Sequence, residues 1–417
     1  MTISPPIETT WISEPYSESE YRALEKRLIQ TARDMRPYLI EHQGEVEKLT
    51  HFPEETHRKF QDAGFYLMLI PKAHGGLEVT PRTFMKVTLE IARGDMSTAW
   101  NFMLSANHSL MLANWFPTEI HQEIYNGGDF RAASMYAPSV RAKKVDGGWQ
   151  INGTVNYCSG IPYSTHFLGQ ALLEGTNPDG SPRMGMYIAP KSAFTILDDW
   201  GNTLGLRGSG SNSIRFDDSI IDERYMVEDE VMGMNGYDGD SPGSAAYGNP
   251  MYSGRHMSTF ALCLAAICIG GGYNALDDYE DQMRTRKTTV PPFIPRTEDP
   301  DFLRYYGSAF TKLQLAEAAL MNSLDQWLDL TIGNVAGEKP FSAADDNRLG
   351  AIGRELMLQV WEAVDRDLMR TIGSSAFRTG LRFERLFRDL AMAAGHRNPQ
   401  LRDFAFRNVA IDQLQLG

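Results

Sequence analysis

The 417-residue sequence is poor in cysteine, and its three cysteines, Cys158, Cys263 and Cys268, form neither a CxxC pair nor an even set. This spacing argues against a disulfide framework and a zinc ribbon, and it favours a reducing cytoplasm. The sequence also lacks a long hydrophobic run, since Phe260 to Ile269 is its longest and reaches only about half the length that spans a bilayer. The N-terminal residues do not read as a secretory signal, because no basic region precedes an apolar one.

Positive charge is scarce as well, because 40 Lys and Arg stand against 53 Asp and Glu, for a net charge of −13. Nucleic acids and anionic membranes are bound through clustered basic residues, so the composition predicts neither as a partner. Four motifs are missing: GxxxxGK[ST], HExxH, GxSxG and a complete GxGxxG after a strand. Their absence disfavours P-loop enzymes, zinc hydrolases, α/β-hydrolases and Rossmann dehydrogenases.

What the sequence does contain is three regions of different periodicity. After a flexible lead, 1–16, a helical pattern opens at a capping box formed by Ser17 and Glu20, and it predicts an α-helical domain over 17–127. From 128 to 235, short β-favouring runs alternate with turn residues and predict a small β domain. Its turn signals are Asp146-Gly147-Gly148, Asn152-Gly153 and Asn177-Pro178-Asp179-Gly180.

A connecting loop rich in Gly, Ser and Pro follows over 236–254. Helical periodicity then returns in four long segments, which predict a C-terminal four-helix bundle over 255–417. These segments are 255–287, 299–333, 343–373 and 382–396. The predicted fold class is therefore mainly α with a central β domain.

Several polar residues stand in or beside apolar stretches, and each has a structural and a functional interpretation. His108 fits a satisfied core histidine or a site residue, and His396 fits a helix-end histidine or a site residue. Ser159 ends a strand at a turn, where serine is common for local reasons. The glycine- and serine-rich segments 206–212 and 373–375 are either ordinary turns and caps or cradles for an anion or a ring.

The order and lengths of the three regions resemble the acyl-CoA dehydrogenase fold, with an N-terminal helical domain, a small β-barrel domain and a C-terminal four-helix bundle. Local sequences share this resemblance along nearly the whole chain. They are Ala63-Gly64-Phe65 with the segment 70–77, Gly147 to Gly153, the WxxxGLRGSxS-like segment Trp200 to Ser211, and Arg385-Leu386-Phe387-Arg388-Asp389.

Dehydrogenases of this fold need a carboxylate that removes the α-proton of an acyl thioester. At the position after Asp389 where the family places a Glu, this sequence has Gly395-His396-Arg397-Asn398, and at the alternative position it has Ser253-Gly254-Arg255. Neither segment offers a carboxylate base, which disfavours acyl-CoA dehydrogenation.

The branch of the fold that the chain resembles is the two-component flavin monooxygenases, notably the oxygenase component of 4-hydroxyphenylacetate 3-hydroxylase and dibenzothiophene monooxygenase. The first likeness depends on Asn107-His108, Ser134 to Pro138, Cys158-Ser159-Gly160 and Gly395-His396. The second depends on the segments 156–160, 198–200 and 297–300, followed by Tyr305, Tyr306 and Gly307.

The resemblance implies a homotetramer that takes reduced flavin, FMNH₂ or FADH₂, from a separate reductase. It would react with O₂ through a C4a-hydroperoxyflavin and oxidise an aromatic substrate. The resemblance favours hydroxylation of a phenol, with oxidation at sulfur or nitrogen as the other reaction type. The implied catalytic residues are His108, Ser159 and His396, and the implied substrate-binding residues are Ser134, Tyr136 and Arg255. The implied flavin-binding residues are Ser159, Trp200, Ser209, Ser211, Arg286 (in preference to Arg284) and Ser375.

Two other classes remain open at this stage. An acyl-CoA dehydrogenase-like enzyme with a relocated base would keep FAD bound and reduce it with its substrate. A catalytically silent member of the fold would act as a scaffold.

Overall fold

The computed structural model describes residues 11–416. Of the predicted flexible lead, residues 1–10 therefore lie outside the described residues. The rest is anchored, because the Trp11 N–H donates to the Ala246 carbonyl at 2.8 Å, and the Trp11 ring stacks on Tyr247 with centroids 5.8 Å apart. The Tyr16 hydroxyl donates to the Leu77 carbonyl at 3.1 Å. Residues 11–16, part of the predicted flexible lead, thus contact the connecting segment and the N-terminal helical domain.

The N-terminal domain is helical, as predicted. Its first helix begins after Ser17, and the predicted capping box is present: the Glu20 N–H donates to Ser17 Oγ, and the Ser17 N–H donates to the Glu20 carboxylate at 2.9 Å. The helices are α1 (Glu18–Asp34), α2 (Arg36–Leu49), α3 (Glu54–Asp62), α4 (Pro81–Gly94), α5 (Met96–Ala106), α6 (Ser109–Trp115) and α7 (His121–Tyr125). Helices α5 and α6 are buried on almost every side, which places their polar residues inside the protein.

The central domain is one seven-stranded mixed sheet with the order β5-β6-β2-β1-β3-β4-β7. Only β1 and β3 pair in parallel. Within residues 11–416 the outer strands β5 and β7 do not pair with each other, so the sheet is open rather than a closed barrel. The strands are β1 (Ala132–Val145), β2 (Gly148–Val155), β3 (His166–Thr176), β4 (Pro182–Pro190), β5 (Thr195–Ile196), β6 (Ile214–Ile221) and β7 (Met226–Glu228).

Two of the three predicted turns are confirmed. Asp146-Gly147-Gly148 joins the antiparallel strands β1 and β2, and Asn177 to Gly180 joins β3 and β4. The third prediction is wrong, because Asn152-Gly153 lies inside β2 at a bulge. There the Asn152 amide donates to the Asp218 carboxylate of β6 at 2.7 Å, and Asp218 has a left-handed φ of 53°.

The connecting segment contains a short helix, α8 (Pro242–Tyr247), which begins at Ser241 with proline at its first position. The bundle then follows with α9 (Met257–Thr285), α10 (Pro300–Val335), α11 (Ala343–Ala363), a π-helical stretch (Val364–Met369), α12 (Arg370–Ile372), α13 (Arg382–Ala394), α14 (Arg397–Gln400) and α15 (Arg402–Leu414). By length and composition α9 could cross a membrane, but 94% of its apolar window is buried inside the protein. It is the core helix of the bundle and packs on α4, α10, α11 and α13.

Candidate active site

His108 lies at the start of α6 and is fully enclosed. Its Nδ1 donates to the Ala132 carbonyl at the beginning of β1, with 2.6 Å between the two atoms. This bond fixes the proton on Nδ1 and leaves Nε2 as a lone-pair acceptor, which has no partner in the part of the chain that the structure describes. Burial lowers the pKa of His108 to about 4. The imidazole is therefore a neutral, unpaired acceptor at pH 7.

Two further buried polar atoms, Asn107 Oδ1 and the Tyr136 hydroxyl, have no partner within residues 11–416. The Tyr136 hydroxyl is unpaired, and its ring meets Phe260 edge to face at 4.7 Å, while Phe260 also contacts His108 at 5.7 Å. Burial raises the pKa of Tyr136 well above 10, so the hydroxyl keeps its proton. Asn107 donates to the sulfur of Cys263 at 3.5 Å and leaves Oδ1 unpaired. Buried polar groups normally have partners, so this cluster is suited to a polar ligand.

Ser134 lies on β1 two residues after Ala132, and side chains two apart share one face of a strand. Its Oγ donates to the Met232 sulfur at 3.7 Å. The structure thus places Ser134 and Tyr136 on the strand that holds His108. Their roles toward a substrate remain predictions.

Ser159, Ser209 and Ser211 form a second cluster. The oxygen atoms of Ser159 and Ser211 are 2.7 Å apart, as are those of Ser211 and Ser209. Trp100 on α5 donates its indole N–H to Ser159 Oγ at 3.2 Å. The three hydroxyl groups carry three hydrogens, and the two hydrogen bonds between them use two of these. The cluster therefore keeps one hydrogen to donate to a ligand.

The serine cluster connects to the end of the bundle through Trp100. The His396 ring meets Trp100 edge to face at 5.4 Å, and His396 Nδ1 accepts from the Asn398 N–H at 3.1 Å, which caps α14. No motif in the sequence marks Trp100 as a site residue. A signal was present, since it precedes His108 by eight residues in the same helical stretch, but periodicity assigned it to the core.

Backbones approach each other closely beneath the serines. A Cβ on Gly210 would lie 2.5 Å from the Asn101 amide nitrogen, and one on Gly160 would lie 2.6 Å from the Asn101 carbonyl. Both side-chain heteroatoms of Asn101 are buried and have no partner among residues 11–416. Only glycine permits this approach, and the unpaired amide leaves further hydrogen-bonding capacity beside the serines.

Helix α13 holds the loop that carries Ser209 and Ser211. Asp389 Oδ1 accepts from the Leu206 N–H at 2.6 Å, and Leu206 has a left-handed φ of 51°. Arg388 donates to the Leu204 carbonyl at 3.1 Å. A Cβ on Gly205 would lie 2.2 Å from the Arg388 carbonyl. The motif at 385–389 thus has a physical role as the anchor of this loop.

Trp200 lies next to the same loop. Its indole N–H donates to the Leu206 carbonyl at 3.3 Å, and its ring meets Tyr157 edge to face at 5.8 Å. Tyr157 is 61% exposed and has a left-handed φ of 62°. Tyr157 lies two residues before Ser159, and its ring and that of Trp200 form an accessible aromatic surface. This position suits Trp200 for the predicted contact with a flavin ring.

Arg286 and Ser375 meet at the far end of α9, where Arg286 Nη1 donates to Ser375 Oγ at 2.7 Å. Arg284 instead pairs with Glu280 one turn earlier in its own helix, at 2.6 Å. This difference supports the preference for Arg286. No hydrogen bond or ring contact within residues 11–416 joins this pair to the serine cluster, so one chain presents the predicted flavin-binding residues in two places.

Arg255 is held by backbone contacts. Its Nε donates to the Phe341 carbonyl at 2.6 Å, and its guanidinium covers the backbone of Gly236. Its predicted contact with substrate stays a prediction.

The neighbouring residue, His256, is buried, its Nε2 has no partner in the part of the chain that the structure describes, and no sequence motif marks it. Its only sequence signal was its position at the start of the longest apolar helix.

A surface cavity of about 320 Å³ lies between α1, α4, α9 and α10, away from both clusters. Its charges pair with one another, as Arg93 with Asp277 at 2.6 Å and Arg33 with Glu90 at 2.9 Å. The chemistry therefore points to the buried clusters rather than to this cavity.

Comparison with known proteins gives a consistent result. Residues 22–124 match the family described as acyl-CoA dehydrogenase, N-terminal domain. The chain is 28% identical over 334 residues to the flavin-dependent monooxygenase oxygenase subunit HsaA of Mycobacterium tuberculosis (strain CDC 1551), covering 79% of this chain and 77% of that one. It is 24% identical to the oxygenase component of p-hydroxyphenylacetate 3-hydroxylase of Acinetobacter baumannii, covering 88% and 85%.

Solved structures share the fold. XiaF from a Streptomyces species, in complex with FADH₂ and glycerol, superposes with a TM-score of 0.84 at 20% identity, covering 96% of this chain and 98% of that one. Dibenzothiophene monooxygenase (TdsC) from Paenibacillus sp. A11-2 gives 0.70 at 19% identity, covering 94% and 98%. The predicted acyl-CoA dehydrogenase fold is confirmed.

Proposed function

We propose that this chain, which has the acyl-CoA dehydrogenase fold and belongs with the flavin-dependent monooxygenases of that fold, is the oxygenase component of a two-component monooxygenase. It takes reduced flavin from a separate reductase and uses O₂ to oxidise an aromatic substrate. The preferred substrate class is a phenol. The reaction converts substrate, O₂ and reduced flavin into hydroxylated product, water and oxidised flavin.

The observation that carries this proposal is the unpaired Nε2 of His108. A phenol places an acidic O–H next to the ring carbon that is to be oxidised, and a neutral imidazole acceptor can take that proton as the ring reacts. The Ala132 carbonyl holds the imidazole in the required tautomer. Ser134 and Tyr136 lie on the strand whose Ala132 carbonyl holds His108, and they would orient the phenol oxygen.

The residues present also fit a flavin. Ser159, with Ser209 and Ser211, offers one free donor hydrogen, Trp200 offers a ring face, and Arg286 with Ser375 offers donors for a phosphate. When bound, the flavin supplies the activation of O₂. The chain's own contribution is to hold Ser159 in place through Trp100, to keep water from the reacting groups and to position the aromatic ring.

The acyl-CoA dehydrogenase-like alternative is not supported. The curated relatives are named as monooxygenase oxygenase components, and the two positions for a carboxylate base hold Gly395 to Asn398 and Ser253 to Arg255. In the structure His396 caps α14 and Arg255 binds a backbone carbonyl, so neither segment brings a carboxylate to the site.

The test is anaerobic mixing of the purified protein with FMNH₂ or FADH₂ followed by O₂ in a stopped-flow spectrometer. An absorbance that outlasts the oxidation of free flavin supports the proposal. A protein that purifies with bound FAD and is bleached by an acyl-CoA would contradict it, and a protein that binds no flavin would favour a scaffold.

We further propose a homotetramer in the cytoplasm. Within residues 11–416 Arg286 and Ser375 make no hydrogen bond or ring contact with the serine cluster, and in the proposed tetramer a second copy would complete the flavin site. Large apolar side chains on α10 and α15 are exposed and need covering. They are Leu303, Phe310, Leu315 and Ile332 on α10, and Phe404, Phe406, Ile411 and Leu414 on α15. The three buried free thiols fit a reducing compartment.

A further inference from the structure

His256 is a buried histidine that the proposed reaction does not yet use. It lies immediately before α9, is 0% exposed, and is packed between the rings of Trp115 at 5.3 Å and Trp327 at 6.2 Å. Its Nε2 has no hydrogen-bond partner within residues 11–416. A buried ring nitrogen without a partner is rare, because burial removes its water without replacing the hydrogen bond.

The local hydrogen bonds define which proton His256 carries. The Thr259 hydroxyl donates its hydrogen to the His256 carbonyl at 2.9 Å, so its lone pairs face His256 Nδ1 at 3.5 Å. Nδ1 is then the protonated nitrogen and Nε2 is the acceptor. Burial, together with the nearby ring of His108, lowers the pKa of His256 to about 3. His256 is therefore a neutral acceptor, as His108 is.

Both histidines take part in ring contacts between α6 and the start of α9. The His108 ring lies 5.7 Å from that of Phe260, and the ring of His256, four residues before Phe260, lies 5.3 Å from that of Trp115. Four residues of helix rise by roughly 6 Å, so the backbones of His256 and Phe260 differ by about one turn. Phe260 also contacts Tyr136, with ring centroids 4.7 Å apart. An aromatic ring with a donor group at each end offers one hydrogen to each of the two histidine nitrogens.

We propose that His256 is a second hydrogen-bond acceptor of the substrate site, and that the substrate is an aromatic compound with a hydroxyl or N–H group opposite the group held by His108. This inference rests on the proposed function. Within the described residues, His108 Nε2 and His256 Nε2 are both acceptors without a partner. A ligand that brings two donor hydrogens satisfies both histidines, whereas a ligand with one donor leaves one of them unpaired.

Hydroquinone and 4-fluorophenol test this proposal, because fluorine is no larger than a hydroxyl but donates no hydrogen. Their dissociation constants are measured by anaerobic calorimetry on the intact protein loaded with reduced flavin. The wild type should bind hydroquinone about tenfold more tightly than 4-fluorophenol. His256→Phe should bring the ratio close to one by weakening hydroquinone alone, and His256→Gln, which keeps an acceptor, should restore part of it.

Trp115→Phe is the matched control, since it removes an unpaired N–H beside His256 and keeps an aromatic ring. It should leave the ratio unchanged. An unchanged ratio in a His256→Phe protein with normal circular dichroism and melting would overturn the proposal. An equal fall of the affinity ratio in His256→Phe and Trp115→Phe would also overturn the proposal, because it would show that the two side chains hold a shared water. The stopped-flow test of the wild type uses neither ligand, so failure of the proposed function is distinguishable from failure of this inference.

Discussion

Replacing Asp389 tests whether the end of α13 positions the loop of the proposed flavin site. Asp389 is 1% exposed, and its carboxylate accepts from the Leu206 N–H at 2.6 Å. Its other oxygen faces the Ser97 hydroxyl at 3.4 Å. Leu206 is itself held in a left-handed conformation that the loop would not keep unaided. The serines that follow, Ser209 and Ser211, depend on this anchor for their position.

Asp389→Ala removes the acceptor and leaves the buried Leu206 N–H without a partner. Hydrogen bonds to charged groups contribute about 1.5–3 kcal/mol, and an unsatisfied buried donor costs a similar amount, so we expect a loss of roughly 2–3 kcal/mol in the free energy of unfolding. Asp389→Asn keeps an oxygen at the same place and should lose much less. Flavin affinity should fall in Asp389→Ala and be largely kept in Asp389→Asn.

The same substitution has a pH dependence with a defined sign. Burial, together with the nearby carboxylate of Asp95, raises the pKa of Asp389 from 3.8 to about 7. The folded protein therefore binds the proton more tightly than the unfolded chain does. The stabilisation from this proton is fully present below about pH 4 and is lost as the pH rises through 7. Each pH unit within this window changes stability by up to about 1.4 kcal/mol.

Between pH 5 and 7 the wild type should therefore lose about 2 kcal/mol relative to Asp389→Asn, which has no proton to lose at this position. Urea unfolding followed by tryptophan fluorescence at pH 5, 6, 7 and 8 measures the difference, and titration with reduced flavin at each pH measures the site. Parallel stability curves for wild type and Asp389→Asn would refute the pKa argument. An Asp389→Ala protein with unchanged stability and flavin affinity would refute the anchor.

Four further substitutions have defined outcomes. Ser159→Ala should shorten the long-lived flavin absorbance about tenfold and raise H₂O₂ release, as stopped flow and a peroxidase assay measure; an unchanged lifetime would exclude Ser159 from the site. His108→Ala should keep that absorbance but lower product yield about 100-fold. Because burial lowers the pKa of His108 to about 4, the histidine stays neutral between pH 8 and 6. The product yield of the wild type should therefore show no loss with a midpoint near pH 6.5. Arg286→Gln should weaken flavin binding about fivefold, with Arg284→Gln as the unaffected control, and equal effects would contradict the assignment. Gly210→Ala should lower the melting temperature more than Gly127→Ala, since both have positive φ but only Gly210 faces a clash.

The local signals in the sequence predicted local structure well. The capping box at Ser17, the turn at Asp146-Gly147-Gly148 and the four bundle helices each depend on residues close together in the chain, so their chemistry is visible there. Asn152-Gly153 shows the limit of this approach. It has the composition of a hairpin turn, but β6 pairs alongside it, and the residues are used in a bulge instead. Tertiary pairing decided between two structures that the dipeptide permits equally.

The same limit explains which site residues were found. His108, Ser134 and Ser159 came from a resemblance carried by short motifs. Trp100 and His256 carry no such motif, and helical periodicity assigns both to the core, where they are indeed buried. What distinguishes His256 is a ring nitrogen that has no partner in the described residues, and this arises only when the surrounding helices pack together. No sequence pattern reports a hydrogen bond that is missing.

The net charge of −13 also takes on a more specific meaning in the structure. On an acidic protein a phosphate must be held by a few well-placed donors. Glu280 pairs with Arg284 rather than with Arg286, and Arg286 donates to Ser375 instead. Its partner Ser375 stands on a separate part of the bundle, and neither reaches Ser159 within the chain. If a second copy supplies Arg286 to each site, flavin affinity must fall when the tetramer is diluted apart. A monomer that binds flavin as tightly as the assembled protein would show that the phosphate is held elsewhere.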